Sequence, residues 1–190
     1  RRQRQMCIRD SPGMHAAEML EKAQTGQLKA LFLAGEILNG PDDKTKAVID
    51  NSNKLELLVV QDIFLSENAS LADVVLPAAS FAEKDGTFTN MERSVQRVRK
   101  SIDPRGDARA AWEVFCELSS LIGYPMNYEN AEAVMKEIAD VTPFYRGINY
   151  KRIENNRICW PCPDIEHPGT PRLHSGKFSG GPGSFDVSDY

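Results

Sequence analysis

Three polar residues stand where long apolar runs end. Gln61 and Asp62 close Leu55–Asp62 (LELLVVQD), and Lys84 follows Ala72–Glu83 (ADVVLPAASFAE). A third run, Leu28–Gly35 (LKALFLAG), leads into Glu36. An amide that donates and accepts, carboxylates that accept and an ammonium that donates form a set for reading a polar ligand with N–H, O–H and phosphate groups. Other chemistry-bearing residues fit less well. Cys159-Trp160-Pro161-Cys162 is a C-x-x-C, but Cys7 and Cys116 have the wrong spacing to complete a known metal site, and Cys116 falls near the apolar stripe of a helix. A structural role is the preferred reading for these cysteines. His15, His167 and His174 do not converge on a nucleophile, so a hydrolytic triad has no support. Neither G-x-G-x-x-G nor a P-loop is present. Arg93, Arg97 and Arg99 alternate as on a strand and could meet phosphate; a solvated edge strand is the preferred reading.

The elements that must position these residues follow from periodicity. Met14–Gly26 reads as a helix with Met19, Leu20 and Ala23 on one face and Gly26 as its stop. Leu28–Gly35, Leu55–Asp62 and Ala72–Ala79 read as short buried strands, the last cut by Pro77. Pro41-Asp42-Asp43 opens a weaker helix to about Asn51, and Ser66-Glu67 caps a short helical turn. The alternation predicts an α/β fold, a parallel sheet with flanking helices resembling half of a Rossmann domain. The strand ends Gly35-Glu36, Gln61-Asp62 and Pro77-Ala78 then share one edge, where open α/β sheets bind ligands. Lys84-Asp85-Gly86 is turn chemistry leading into an extended segment. Asp107–Gly123 predicts a helix with the stripe Val114, Phe115, Leu118, Leu121 and Ile122. Ala131–Val141 predicts another, with Val134, Ile138 and Val141 on one face. Beyond Thr142 the chain is Gly/Pro-rich and irregular, with a linker or extended tail over Gly176–Gly183. The expected division is an α/β portion over 1–82, an extended segment with helices over 83–142, and an irregular tail over 143–190.

Bulk composition narrows the function. The 190 residues carry 23 Lys and Arg against 27 Asp and Glu, a net charge of −4 that argues against nucleic acid as the main partner. No apolar run approaches the roughly 20 residues of a membrane span. Four scattered cysteines do not make a disulfide scaffold, so a reducing, cytoplasmic setting is expected. The start, RRQRQMCIRD, lacks Met and the apolar core of a secretory signal, and reads as an excerpt, a split subunit or a processed chain.

Longer motifs carry a resemblance. Leu58-Val59-Val60-Gln61-Asp62-Ile63-Phe64, Ala72-Asp73-Val74-Val75-Leu76-Pro77-Ala78-Ala79 and Glu83-Lys84-Asp85-Gly86-Thr87-Phe88-Thr89-Asn90 resemble the molybdopterin-dinucleotide oxidoreductases. Glu92-Arg93 and Val95-Gln96-Arg97 continue the likeness. Gly123-Tyr124-Pro125-Met126, Tyr145-Arg146-Gly147-Ile148 and Trp160-Pro161-Cys162-Pro163 look like the formate dehydrogenase branch. His167-Pro168-Gly169-Thr170 and Gly176-Lys177-Phe178 resemble the approach to that family's C-terminal barrel.

The resemblance implies a bis-molybdopterin guanine dinucleotide cofactor with molybdenum or tungsten, and an iron–sulfur cluster elsewhere in the subunit. It implies that Gly35, Glu36, Gln61, Asp62 and Lys84 contact a dinucleotide, with no catalytic residue or metal ligand in this segment. The remainder of the catalytic subunit and electron-transfer subunits are the implied partners. The full enzyme would oxidise formate to carbon dioxide and pass on two electrons. Two positions depart from the family pattern: Ile37 stands where a polar ligand-reading residue is usual, and Ala111 replaces an Asp before Trp112. They keep open a second reading, a structural or interaction subunit that retained the fold and lost the cofactor.

Overall fold

A computed structural model describes residues 13–35, 52–66 and 69–175. The expected helix over 41–51, the residues Cys7, Glu36 and Ile37, and the stretch 176–183 lie outside the described residues.

Helix α1 (Ala16–Gln24) begins at His15, whose Nδ1 accepts from the Glu18 N–H at 3.3 Å. It stops at Gly26, whose φ of +72° is the left-handed conformation that glycine adopts most readily. Strands β1 (Ala30–Ala34), β2 (Leu57–Asp62) and β3 (Val74–Pro77) form a parallel sheet in that order. This is the expected sheet. Side chains alternate across a strand, and in β2 Leu58 and Val60 point into a core with Leu33 and Ala69. Leu20, Leu31, Leu55 and Ala72 pack against that core. The Asp73 carboxylate accepts from the Leu58 N–H at 2.7 Å, tying the entry of β3 to β2.

A second, antiparallel sheet follows. Strands β4 (Gly86–Thr89), β5 (Ser94–Val98) and β6 (Ile158–Cys159) lie in the order β4-β5-β6. The edge-strand reading of the arginine segment is therefore corrected: β5 is the middle strand, and Ser94 and Val95 are fully buried. Strand β6 comes from over sixty residues downstream, a pairing that no local pattern encodes. The Arg97 side chain stacks on the Tyr150 ring at 3.6 Å, while Arg99 pairs with Glu154 at 2.7 Å. Arg93 donates to the carbonyls of Trp160, Thr170 and Pro171.

Helices α2 (Ala111–Leu121) and α3 (Ala131–Val141) fall where periodicity places them, but their buried faces differ. In α2 the expected stripe stays largely open: Leu121 is 79% and Ile122 73% exposed, while Phe115 reaches Phe32 of β1 at a ring separation of 5.0 Å. In α3 the buried residues are Met135 and Ala139, and Ile138 and Val141 are exposed. Asn130 caps α3, its Oδ1 accepting from the Ala133 N–H at 2.9 Å.

The segment 143–175 has little regular structure but supplies most of a second core. Ile148, Tyr150, Ile153, Ile158 and Cys162 pack there with Val95 and Met135. Arg152 holds its loops by donating to the carbonyls of Gly147 and His167 and to the Cys162 sulfur. The two halves meet at Arg109, bridged in parallel to Ala78, and the Ala79 N–H donates to the Arg109 carbonyl at 2.9 Å. Among the described residues no helix is long and apolar enough to cross a membrane.

Candidate cofactor edge

The register of the parallel sheet levels its three C-terminal ends. Ala34 pairs with Gln61, Gln61 with Leu76 and Asp62 with Pro77. Just beyond, the Gly35 N–H donates to the Gln61 carbonyl at 2.9 Å and the Ala78 N–H to the Asp62 carbonyl at 3.0 Å. The structure thus brings Gly35, Gln61 and Asp62 to one edge. Gly35 has φ +92°, and among the described residues no atom outside its chain neighbours lies within 4 Å of where a Cβ would stand.

Gln61 and Asp62 are nearly inaccessible, at 1% and 3% exposure. Each is half-served. The Gln61 Nε2 donates to the Arg109 carbonyl at 3.1 Å, but its Oε1 has no partner among the described residues. The Asp62 Oδ1 accepts from the N–H of Ile63 at 2.6 Å and of Phe64 at 3.4 Å, but its Oδ2 has no partner among the described residues. An unpaired buried acceptor costs about 1–3 kcal/mol, more when charged. Two such oxygens on consecutive residues at the end of one strand are matched by a ligand rich in N–H and O–H donors.

Lys84 belongs to a different wall. It follows a 3-10 turn (Phe81–Glu83) in which Glu83 accepts from the Ser80 N–H at 2.7 Å and the Arg105 N–H at 2.9 Å. The hydrogen bonds from Ser80, then those from Arg105, hold the Glu83 carboxyl below its ordinary pKa. Lys84 lines one cavity of about 230 Å³ with Phe88, Ala111, Trp112, Met135 and Tyr150. It lines a second of about 280 Å³ with Glu83, Lys100, Trp112, Glu113 and Glu129. Neither has Gln61 or Asp62 in its wall. The link runs through the backbone: Gln61 holds the Arg109 carbonyl, and the next residues, Ala110 to Trp112, wall the first cavity. Sequence reasoning did not single out Arg109 or Tyr150; a backbone acceptor leaves no sequence signal, and Tyr150 reaches the wall only through tertiary packing. Ala111 opens α2 in that wall, and the N-cap residue Ala110 makes no side-chain capping bond.

The remaining candidates are resolved by packing. Cys162 is fully buried in the second core, and its sulfur contacts the His167 carbonyl at 3.3 Å. Among the described residues no three His, Cys, Asp or Glu side chains gather to hold a metal ion.

The chain is 46% identical over 175 residues to the alpha subunit of an F420-dependent formate dehydrogenase of Methanocaldococcus jannaschii, covering 90% of this chain and 26% of that protein. It is 40% identical over 168 residues to a probable oxidoreductase of Bacillus subtilis, covering 88% of this chain and 17% of that protein. The chain therefore spans about a quarter or less of the curated relatives it matches. In fold it is similar to acetylene hydratase from Pelobacter acetylenicus, with a TM-score of 0.58 at 16% identity over 80% of this chain and 21% of that one. Residues 2–121 match the family described as Molybdopterin oxidoreductase, and the chain belongs to that family, whose name carries its pterin cofactor.

Proposed function

We propose that this chain is a segment of a formate dehydrogenase-like molybdopterin oxidoreductase and helps to bind one pterin guanine dinucleotide. The observation that carries the reading is the pair of orphaned acceptors, Gln61 Oε1 and Asp62 Oδ2, at the C-terminal end of β2. Guanine N–H groups and ribose hydroxyls are the donors such oxygens accept. Gly35 and Glu36 would flank the same edge, and Lys84 would meet phosphate from its separate wall. When bound, the cofactor with its molybdenum or tungsten supplies the two-electron redox chemistry, and an iron–sulfur cluster elsewhere in the subunit would take the electrons onward. The part played by this chain is to hold and orient. Its partners would be the rest of the catalytic subunit and electron-transfer subunits, in the cytoplasm. The divisions 1–82, 83–142 and 143–190 would serve respectively as dinucleotide-binding portion, packing segment near the cluster and approach to a C-terminal barrel.

One observation favours a second reading, a non-catalytic relative that kept the fold. Ala111 offers the cavity wall a methyl group where an acceptor is usual in the resemblance, and Ala110 supplies no side-chain cap. Metal and pterin analysis of the full-length native subunit, purified with its natural partners, decides between them. Molybdenum or tungsten with pterin dinucleotide, depleted by Gln61→Ala and Asp62→Ala, is the expected result. An intact, folded assembly carrying neither metal nor pterin overturns the first reading and leaves the second.

A further inference from the structure

Register divides the parallel sheet into two faces. Paired residues of neighbouring parallel strands point the same way, so Leu31, Leu33, Leu58 and Val60 share the face that Leu20 and Ala69 cover. The opposite face carries Phe32, Val59 and Val74 in one row, with Leu57 before that row and Leu76 beyond it. Helix α2 reaches this second face through Phe115, whose ring meets Phe32. Among the described residues the rest stays open: Leu57 is 40% and Val74 42% exposed. Leu118 and Leu121 of α2, both exposed, wall a cavity of about 340 Å³ with Leu76 and Pro77. Leu76 stands two residues from Val74, so the row on the sheet and the stripe on α2 form one apolar surface. Asp107, Arg109 and Glu117 are the charges of the cavity wall, the last two paired with each other. An apolar centre with a mixed polar margin is the build of a permanent interface.

Parallel sheets occur with both faces covered, as a rule by helices. The crossovers of this sheet do not supply the second cover. A right-handed step from β2 to β3 lies on the Ala69 face, and a step from β1 to β2 in the same direction across the sheet falls there too. The chain spans 26% and 17% of the two relatives described above, so in a subunit of their length most of the polypeptide lies outside it.

We propose that this surface seats an amphipathic helix from another part of the same subunit, whose apolar stripe closes the open face of the parallel sheet. The proposal rests on the reading of this chain as a segment of a larger oxidoreductase subunit. The photo-crosslinking residue p-benzoylphenylalanine would replace Leu121 or Val74 in the full-length subunit, purified with its natural partners, and the linked peptides would be identified by mass spectrometry. Both positions should link to one segment of the same polypeptide outside these 190 residues, with apolar residues at helical spacing. As a second readout, the thiol of Leu121→Cys should react with a maleimide about tenfold or more slowly in the folded subunit than in urea. Links to residues 1–12 or 36–51, to a second copy or to another subunit give the surface a different occupant and overturn the proposal. A linked segment without helical spacing, no link at either position, or a thiol as reactive as in urea overturns it as well. A native polypeptide whose intact mass is that of these 190 residues alone removes the larger-subunit reading itself. A longer polypeptide with a different occupant removes only the docked helix.

Discussion

At the scale of single residues, Gly147 shows how little room the second core leaves. A Cβ there would sit 2.6 Å from the Cys162 sulfur and closer still to the Asp164 carbonyl. The obstacle includes backbone, which cannot swing aside. Gly147→Ala should therefore destabilise the protein by about 1–3 kcal/mol or more, read as a fall in Tm in thermal unfolding. Asp62 is the opposite kind of residue, with one oxygen fixing the Ile63 turn and the other unclaimed. Asp62→Asn should keep the turn, because the amide oxygen still accepts, while weakening hold on any donor-rich ligand. The expected outcome is an unchanged Tm and reduced pterin content. Glu83 and Glu154 both contribute to the acid response. Their pKa values are lowered by hydrogen bonds, from Ser80 in the first and Arg99 in the second. The stabilisation they give is present above the ordinary carboxylate pKa of 4.5 and is lost as pH falls through the lowered folded values. Glu83→Gln should flatten the decline of Tm on acidification below that value, in a series of melts at stepped pH.

At the scale of elements, β5 organises the second half because it pairs on both sides. Its turn is set by Arg93, whose φ of +66° is uncommon for a residue with a side chain. The guanidinium repays that conformation by serving the carbonyls of Trp160, Thr170 and Pro171. A forked planar donor can reach three acceptors at once, and an ammonium cannot match that geometry. Arg93→Lys should thus restore little of what Arg93→Ala removes. Hydrogen exchange at the amides of Trp160 and Thr170 checks this, with faster exchange expected in both variants. In α2 the expected apolar stripe was periodic but not buried. Periodicity marks the face a helix could bury; which face meets a neighbour depends on where the neighbour stands. In α3 the buried pair Met135 and Ala139 keeps the i, i+4 spacing, one residue round from the expected Val134 and Ile138.

At the scale of the whole molecule, two cores are joined by backbone bonds and by the Phe32–Phe115 ring contact. Leu33, Leu58, Val60 and Ala69 hold the parallel sheet; Val95, Met135 and the residues from Ile148 to Cys162 hold the other half. Backbone bonds between Pro77–Ala79 and Arg109 connect them, and the Gln61 side chain takes part. Leu58, 1% exposed at the centre of the first core, should cost about 2–5 kcal/mol when cut back to Ala. Disturbance should spread through β1 to β3 more than to β4 to β6, as hydrogen exchange by region would show.

The sequence by itself determined the parallel sheet, the level of its three strand ends and the placement of Gln61 and Asp62 on that edge. These follow from short apolar runs, turn residues and the rule for parallel connections, all local information. The family was equally legible, because long motifs survive intact. Only the tertiary structure decided the fate of the arginines, the faces of α2 and α3, and the role of residues 143–175. Each depends on contacts between residues far apart in the chain: β6 on β5, the Arg97 side chain on the Tyr150 ring, carbonyls of 160–171 on Arg93. It also separated Lys84 from the Gln61 edge and set Tyr150 beside it. Neither relation is written in spacing, since the distance between two side chains is fixed by how sheets and helices pack.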